Sequence, residues 1–301
     1  MKNCVLINKK IKEFKKKIYV AGDKSISIRF VILASLAVGS SRAKNLLRSE
    51  DVINALNCLK KLGVQIKLKR KYCDIVGNGL NSYAYKKNLT LDAGNSGTTA
   101  RLITSTLINS PEIIKITGDN SLRKRDMKRI IEPLQEFGAT FKKNKGRLPL
   151  YIKGSNFIRP IYYLDNKLAS AQTKTAVLIS GLSAPGLTRL KCLPSRDHTE
   201  ILYKNVLKLP IKIKKTKNFD YIELKGKKNF KSLTYNIPGD PSSAAFLVVL
   251  TLLSKNSNLI IKNVCVNPYR IGYITILNKM GAKIKLKNKK IYKGEQIADI
   301  H

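Results

Sequence analysis

Residues 22–27, Gly-Asp-Lys-Ser-Ile-Ser, lead from a glycine through small polar residues into a strongly apolar helix, and the same transition recurs three times. The later copies are Gly94-Asn-Ser-Gly-Thr-Thr, Ala169-Ser-Ala-Gln-Thr and Gly239-Asp-Pro-Ser-Ser. Their first residues are 22, 94, 169 and 239, so the three intervals between copies are nearly equal. Repetition at a nearly fixed period of this length indicates that one supersecondary unit has been copied along the chain.

A second marker keeps the same period. Each copy contains an amphipathic helix that ends in a break and runs into a strand, with breakers at Gly63, Gly138, Pro210 and Gly281. Glycine suits the left-handed position after a helix, and proline ends a helix by steric exclusion. Each unit is therefore predicted to be a strand, an apolar helix, a strand, a second helix and a strand pair.

The apolar helices distinguish compact domains from a solenoid. Residues 29–37, 100–107, 174–182 and 244–253 are apolar nearly all round, as helices enclosed by sheets are, whereas the second helices keep a polar face. This pattern predicts an α/β (α+β) fold with buried helices. Four units of this period and a short tail account for the 301 residues.

The charge balance is extreme. With 58 basic and 19 acidic residues the net charge is +39, which favours anionic partners such as nucleic acid, acidic membranes or phosphorylated metabolites. Most of the excess is lysine in runs on predicted turns and helix faces, which is typical of a solvated surface. We therefore interpret the charge as surface composition and expect no nucleic-acid partner.

Membrane, secreted and metal-dependent classes are not favoured. The longest apolar stretch, 244–253, is about half of what a membrane span needs, and the first 17 residues lack the apolar core of a secretory signal. Five cysteines show neither disulfide nor zinc spacing, and two histidines cannot form a multi-histidine metal site. We expect a cytoplasmic protein with no metal and no membrane partner.

The helix starts carry the functional signal. The N-terminal end of a helix is the positive end of its dipole and exposes backbone N–H groups. Side chains with a hydroxyl or amide group occur at these ends, and they are Ser25, Ser27, Ser96, Thr98, Ser170, Gln172, Ser242 and Ser243. Simple N-capping would explain any one of them. However, scarce arginines recur beside these starts and at the second-helix starts, namely Arg29, Arg48, Arg101, Arg125, Arg196 and Arg270. Because arginine binds anions with two parallel hydrogen bonds, this placement predicts a small polyanionic ligand.

Other chemistries find no support in the motifs. Gly94-Asn-Ser-Gly is neither a Walker loop nor a dinucleotide fingerprint. Ser195, Asp197 and His198 are adjacent in sequence rather than distributed as a catalytic triad would be. We interpret Asp197-His-Thr-Glu as the charged first turn of a helix, with His198 in a structural role.

Five ordered motifs resemble the signatures of EPSP synthase, 3-phosphoshikimate 1-carboxyvinyltransferase, over nearly the whole chain. They are Ala21-Gly-Asp-Lys-Ser-Ile-Ser-Ile-Arg29, Leu91-Asp-Ala-Gly-Asn-Ser-Gly-Thr-Thr-Ala-Arg101, Ala169-Ser-Ala-Gln-Thr-Lys174, Pro194-Ser-Arg-Asp-His-Thr-Glu200 and Ile237-Pro-Gly-Asp-Pro-Ser-Ser-Ala-Ala-Phe246. The resemblance implies an inside-out α/β barrel of βαβαββ units in two domains. A complete three-unit domain would span 22–235, and 1–21 plus 236–301 would form an incomplete second domain with about one unit of three.

The resemblance also implies a reaction. Such enzymes transfer the enolpyruvyl group of phosphoenolpyruvate to the 5-hydroxyl of shikimate 3-phosphate in the shikimate pathway of aromatic amino-acid biosynthesis, without a cofactor and, when complete, as a monomer. Shikimate 3-phosphate would be bound by Lys24, Ser25, Arg29, Ser170, Ala171, Gln172 and Arg196. Phosphoenolpyruvate would be bound by Lys24, Asn95, Gly97, Arg125 and Gln172. Lys24 would be the catalytic residue present.

The sequence departs from the family pattern in several places. Ile28 stands where the family has histidine, Asp126 where it has proline and Tyr269 where it has a small residue. The Asp-Glu-x-Pro and Lys-Glu-Ser-Asp-Arg motifs, which carry the family's catalytic carboxylates, have no match, so we expect an inactive or incomplete form of the enzyme. The alternatives are the related UDP-N-acetylglucosamine enolpyruvyl transferase and a basic nucleic-acid-binding protein.

Overall fold

The computed structural model describes residues 11–142, 145–166 and 168–301. Residues 1–10 of the expected second domain, with Cys4, lie outside the described residues. The helices are α1 (Lys24–Leu36), α2 (Glu50–Lys61), α3 (Gly97–Ser105), α4 (Asn120–Arg123), α5 (Lys128–Glu136), α6 (Ala171–Ser183), α7 (His198–Ile201), α8 (Pro241–Leu253) and α9 (Gly272–Lys279), with a π-helix at Leu202–Val206.

The described residues also form 16 strands. They are β1 (Lys15–Tyr19), β2 (Val38–Lys44), β3 (Gln65–Leu68), β4 (Tyr72–Asn78), β5 (Thr90–Asp92), β6 (Ile114–Thr117), β7 (Thr140–Phe141), β8 (Leu150–Lys153), β9 (Tyr162–Asp165), β10 (Leu187–Cys192), β11 (Ile211–Lys215), β12 (Asp220–Lys225), β13 (Thr234–Asn236), β14 (Asn258–Cys265), β15 (Leu286–Tyr292) and β16 (Glu295–Ile300).

Four sheets of four strands repeat one topology. In the order β5-β6-β8-β7, the first pair is parallel and the other two are antiparallel, and β9-β10-β12-β11 follows the same pattern. The remaining sheets, β13-β2-β4-β3 and β1-β14-β16-β15, take their first strand from a distant part of the chain. The four-unit repeat is therefore present, but the edge strands of the first and last units are exchanged. The sheet of β2, β4 and β3 begins with β13 instead of β1, and the sheet of β14, β16 and β15 begins with β1 instead of β13.

The chain divides into two compact units. The larger unit comprises Gly22–Ile237 with Lys293–Glu295 and contains three of the sheets. The smaller unit comprises Pro238–Tyr292, Gln296–His301 and the described residues up to Ala21, and it is built on the fourth sheet. None of the helices that the structure describes is long and apolar enough to span a membrane.

Each apolar helix begins three to five residues earlier than the hydrophobic pattern predicts, because its polar first turn is already helical. The N-cap side chains accept hydrogen bonds from backbone N–H groups of that turn, and they are Asp23, Ser96, Ser170 and Asp240. The predicted left-handed glycines are confirmed, with φ of +85° at Gly63, +115° at Gly138 and +97° at Gly281.

The second helix of the third copy differs from the prediction. Instead of one amphipathic helix that ends at Pro210, the single-turn α7 runs into the π-helix, in which the N–H of Leu207 donates to the carbonyl of Leu202 at 2.9 Å. The side chain of Asn205 donates to the carbonyl of Ile201 at 3.2 Å, the acceptor that an α-helix would give to its own N–H. This competition accounts for the wider turn.

Burial of the apolar helices differs between the units. In α1 every residue from Ile26 to Leu36 is buried, and in α6 every residue except Gln172 is buried. In α8 only Pro241, Ala244 and Val248 are buried. The expectation of helices enclosed on all sides is therefore confirmed for α1 and α6 and wrong for α8, because the described residues of the smaller unit provide one such helix and no similar helix to pack on it.

Candidate active site

The starts of α1 and α6 are joined by the buried guanidinium of Arg29. Its Nε donates to Thr199 Oγ1 at 2.8 Å, and its Nη2 donates to Thr175 Oγ1 at 2.9 Å and to the carbonyl of Ala171 at 3.4 Å. A further bond runs from Nη1 to the carbonyl of Ser25 at 3.1 Å. Arg29 is only 3% exposed, so it holds α1, α6 and α7 in register beneath the helix starts.

Arg196 approaches the same place from the loop after β10. Its Nη1 donates to Ser25 Oγ at 3.2 Å, which brings a second guanidinium to the first turn of α1. Arg196 is half-buried and therefore still reaches solvent. The Arg196 guanidinium and the Ser25 hydroxyl, at a helix start that Arg29 holds from beneath, are suited to bind a phosphate group.

Lys24 lies at the first position of α1 and pairs with the start of α2. Its Nζ is 3.5 Å from Asp51 Oδ2, and the lysine side chain is 48% exposed. Such an exposed pair contributes little to stability. The pair with Asp51 is therefore a weak constraint on the position of the Lys24 side chain.

A second polar chain joins the starts of α3 and α6. Arg101 Nη1 donates to Gln172 Oε1 at 2.6 Å, and Gln172 Nε2 donates to Thr98 Oγ1 at 2.9 Å. Burial lowers the pKa of Arg101, and the nearby charges of Arg129 and Arg125 lower it further. These crowded positive charges would be relieved by a bound anion.

Arg125 is placed beside the start of α3 by a chain of side chains. Its Nη2 donates to Asn95 Oδ1 at 2.9 Å, and Asn95 Nδ2 donates to Asp119 Oδ2 at 2.6 Å. Asp119 in turn caps α4 by accepting from the N–H of Leu122 at 2.7 Å. The hydrogen bond from Asn95 is the main cause that lowers the pKa of Asp119, so this carboxylate remains ionised and orients the amide that holds Arg125.

Gly97 lets the guanidiniums of Arg101 and Arg125 approach the first turn of α3. A Cβ at this position would lie 2.9 Å from Arg101 Nη1 and 3.5 Å from Arg125 Nη1. The absence of a side chain therefore makes room for both cations against the buried first turn of α3.

A buried ion cluster lies beneath this surface. Lys174 Nζ is 2.6 Å from Glu200 Oε1 and 3.5 Å from Asp220 Oδ2, and all three side chains are at most 2% exposed. Lys174 also donates to the carbonyl of Ser195 at 3.3 Å. Because Ser195 precedes Arg196, this cluster fixes the loop that carries Arg196 to α6.

The predicted site residues of the larger unit thus fall into two connected groups. One contains Ser25, Arg29, Ala171 and Arg196, and the other contains Asn95, Gly97, Arg125 and Gln172 together with Arg101. Lys24 lies beside Ser25 at the start of α1. Ser170 serves as the N-cap of α6, where its Oγ accepts from the N–H of Thr173 at 3.1 Å, so part of its polarity is used within the helix.

Other predicted helix-start residues are engaged locally. Ser27 Oγ accepts from the N–H of Leu47 at 3.1 Å, and Arg48 donates to the carbonyl of Lys69. In the smaller unit, Arg270 Nη2 donates to Ser242 Oγ at 3.0 Å and to Asp240 Oδ1 at 3.3 Å. These contacts stabilise turns of the protein itself. Arginine therefore recurs at helix starts for structural reasons as well as for ligand binding.

Sequence reasoning missed three partners of the site, namely Thr175, Thr199 and the Lys174 cluster. A signal was present in the sequence, because Arg29 and Lys174 are cations within helices that are otherwise apolar nearly all round. A buried cation requires hydrogen-bonding or acidic partners. The departures from the family motifs are accommodated, since Ile28 is buried in α1 and Asp126 Oδ1 accepts from the N–H of Lys128 at 2.8 Å.

Known proteins are similar in sequence to this chain. Residues 8–300 match the model of the family described as EPSP synthase (3-phosphoshikimate 1-carboxyvinyltransferase). The 3-phosphoshikimate 1-carboxyvinyltransferase of Zymomonas mobilis is 39% identical over 300 residues, which are 99% of this chain and 66% of the relative. That of Ruthia magnifica is 42% identical over 283 residues, covering 93% of this chain and 63% of the relative.

A solved structure shows the same fold. EPSP synthase from Acinetobacter baumannii superposes with a TM-score of 0.84 at 35% identity, over 96% of this chain and 64% of that one. The predicted mixed α/β fold of repeated units is thereby confirmed. The chain spans about two thirds of the length of the relatives that it matches. On the family match, the identity and the fold together, the chain belongs to the EPSP synthase family.

Proposed function

We propose that this chain binds shikimate 3-phosphate at the starts of α1 and α6 and contributes to the transfer of the enolpyruvyl group of phosphoenolpyruvate to its 5-hydroxyl. The observation that carries the proposal is the convergence of Ser25, Arg29 and Arg196 at the first turns of α1 and α6. Family membership supplies the chemistry that such a cluster would serve. The setting that we propose is the cytoplasmic shikimate pathway.

The second group would receive phosphoenolpyruvate. Arg125 and Asn95 lie beside the first turn of α3, and Gln172 is joined to it through Arg101 and Thr98. Both substrates carry phosphate, so their approach is opposed by repulsion between like charges. Lys24, Arg101 and Arg125 would offset that repulsion and hold the two substrates side by side.

In the proposed reaction the 5-oxygen of shikimate 3-phosphate forms a bond to C2 of phosphoenolpyruvate, and the bond from C2 to the phosphate oxygen breaks. The proton of the hydroxyl leaves with the phosphate in the net balance. Attack at C2 requires a proton to be added at C3 and later removed. Within this chain, Lys24 is the residue that we propose to contact both substrates and to stabilise the negative charge of the departing phosphate.

Thermal unfolding with added shikimate 3-phosphate tests the proposal. A ligand at about 100 times its Kd stabilises the folded state by about 3 kcal/mol, which for a domain of this size raises Tm by about 5–10 °C. We expect this shift for the 301-residue chain and expect Lys24→Ala to lose most of it. Lys225→Ala, which removes an exposed lysine at the end of β12, is the matched control and should retain the full shift.

The same assay separates the alternative acceptor. UDP-N-acetylglucosamine should leave Tm unchanged at concentrations at which shikimate 3-phosphate raises it. A Tm that does not respond to shikimate 3-phosphate, or a full response that persists in Lys24→Ala, would contradict the proposed site.

A further inference from the structure

The sheet β9-β10-β12-β11 of the larger unit has one buried face and one face open to solvent. Its buried face carries Leu190, Ile222 and Leu224, and α6 packs against β10 and β12 on that side. Because side chains alternate between the two faces of a strand, the neighbours of these residues point outward. Among them, Tyr162 on β9 is 64% exposed and Tyr221 on β12 is 38% exposed.

The outer face is strongly cationic. Its cations are Arg189, Lys191, Lys212, Lys214 and Lys225. Glu223 is the one acid among the outward residues that the structure describes on these four strands, and it pairs with Arg189 at 3.0 Å. The strand register places Lys191 and Lys214 on either side of Tyr221. A net positive charge therefore surrounds an exposed ring.

Contacts between a cation and two rings order the centre of this face. Lys191 Nζ lies 4.5 Å from the ring centroid of Phe219 and 5.6 Å from that of Tyr221. The two rings meet edge to face, with centroids 6.5 Å apart. Such contacts fix the orientation of the rings, so that a planar group could stack on Tyr221 without first ordering it.

The spacing of the exposed tyrosines fits a chain of planar groups. Tyr162 on β9 and Tyr221 on β12 are separated by β10, since the strand order is β9-β10-β12. Adjacent strands are about 4.8 Å apart, so the two rings lie about 10 Å apart across the sheet. Each ring can therefore contact a different planar group, with the cations of β10 between them.

The equivalent sheets of the first two copies lack this exposure. Tyr72 of the first copy is half-buried, and the Arg42 guanidinium covers its ring at 4.3 Å. Arg42 is itself neutralised by two hydrogen bonds to Asp74. Tyr151 of the second copy is also half-buried. Exposed rings among cations are therefore a property of the third sheet and do not follow from the repeat.

Composition alone predicted no nucleic-acid partner, because a lysine excess spread over a surface is common. The third sheet differs, since its cations and rings are interleaved on one face. Cations attract a phosphodiester backbone, and exposed rings stack on bases that are not paired in a duplex. Carboxylates of an acidic polypeptide would satisfy the cations but leave Tyr162 and Tyr221 uncovered. Tyrosine hydroxyls can also bond to the 2′-hydroxyl that distinguishes RNA from DNA.

We propose that the outer face of the sheet β9-β10-β12-β11 binds single-stranded RNA, with bases stacked on Tyr162 and Tyr221 and phosphates held by the cations beside them. A four-stranded sheet that presents aromatic rings among cations is one of the ways in which proteins bind unpaired RNA. The inference does not depend on the proposed activity, because the starts of α1 and α6 lie on the buried side of this sheet or beyond it.

Fluorescence anisotropy tests the proposed surface. The 301-residue chain would be titrated into a labelled uridine RNA of about 12 nucleotides at physiological ionic strength. We expect tighter binding to this RNA than to duplex RNA or single-stranded DNA of the same length. Polyglutamate should compete less well than unlabelled RNA. Duplex RNA or single-stranded DNA that binds as tightly as the single-stranded RNA, or polyglutamate that competes equally, would overturn the proposal.

Aromatic variants separate stacking from general attraction between charges. Tyr162→Ala combined with Tyr221→Ala keeps the net charge and should lower the affinity for RNA by about 10-fold or more, because stacking on two bases is lost. Phe157→Ala, at an 89% exposed ring outside this sheet, is the matched control and should change little. Unchanged affinity in a double variant that is folded by circular dichroism would contradict the assignment.

Lysine variants provide a second test that does not depend on the rings. Lys191→Gln combined with Lys214→Gln should reduce the slope of log affinity against log salt concentration by about 1.4, since about 0.7 is lost for each phosphate contact on a single strand. Lys289→Gln combined with Lys290→Gln, at exposed lysines of β15, is the control of equal charge. An equal change of slope in both pairs would show attraction spread over the whole surface and would overturn the proposed site.

Discussion

Replacing Lys174 with methionine is expected to destabilise the larger unit by about 3–5 kcal/mol, because it removes the buried cation that compensates two buried carboxylates. Lys174 contacts Glu200 at 2.6 Å and Asp220 at 3.5 Å, and all three side chains are buried. Burial already raises the pKa of Glu200, and the charge of Lys174 opposes that rise. Denaturation with urea, followed by circular dichroism, would measure the loss.

Two further variants show whether the loss is electrostatic. Lys87→Met breaks a pair of exposed side chains, with Lys87 81% exposed and 3.7 Å from Glu112, and should change stability by at most about 1 kcal/mol. Combining Lys174→Met with Glu200→Gln and Asp220→Asn removes all three charges and should recover much of the lost stability. If Lys174→Met is as stable as the unmodified chain, the ion cluster does not hold the Arg196 loop as described.

Replacing Arg29 with methionine is expected to lower the affinity for shikimate 3-phosphate by about 10- to 100-fold. The guanidinium holds the starts of α1 and α6 together through hydrogen bonds to Thr199, Thr175 and two backbone carbonyls. Its loss would remove the hydrogen bonds that hold the starts of α1 and α6 together. Displacing these starts would cost one charged hydrogen bond to the ligand, which contributes about 1.5–3 kcal/mol. Isothermal titration of variants that remain folded by circular dichroism measures the effect.

Arg189→Met is the matched control for this substitution. Arg189 pairs with Glu223 across β10 and β12, with its side chain 56% exposed, and its removal should leave the affinity unchanged. Thr199→Val removes the acceptor of Arg29 Nε and the hydrogen bond between Thr199 and Thr175, and it should cause a smaller loss than Arg29→Met because the other bonds of Arg29 remain. Wild-type affinity in a folded Arg29→Met protein would contradict the assignment of Arg29 to this site.

The repeat and its helices were predictable because period and caps are local properties of the sequence. The glycine breakers appear with positive φ at 63, 138 and 281, and the four helix starts carry their N-caps. The pairing of β1 with β14 and of β13 with β2 was not predictable in the same way. Strand partners distant in sequence leave no mark in local periodicity.

For the candidate site, too, local motifs could be read from the sequence, whereas contacts between distant residues could not. Ser25, Arg29, Gln172 and Arg196 could be proposed from motifs, but their partners lie far away in the chain, as Arg196 does from Ser25. Helical spacing alone cannot show that Arg29 contacts Thr199 or that Arg101 contacts Gln172. The exposure of α8 depends equally on which elements are present to cover it, which a helix pattern does not report.

Hydrogen exchange with and without shikimate 3-phosphate tests most directly whether the helix starts of the larger unit form the binding site. We predict slower exchange, on adding saturating ligand, in the first turns of α1 and α6 and in residues 195–199, with little change in β11 and β12. Exchange that is unaltered at these helix starts, or slower only in segments remote from Arg29 and Arg196, would contradict the account.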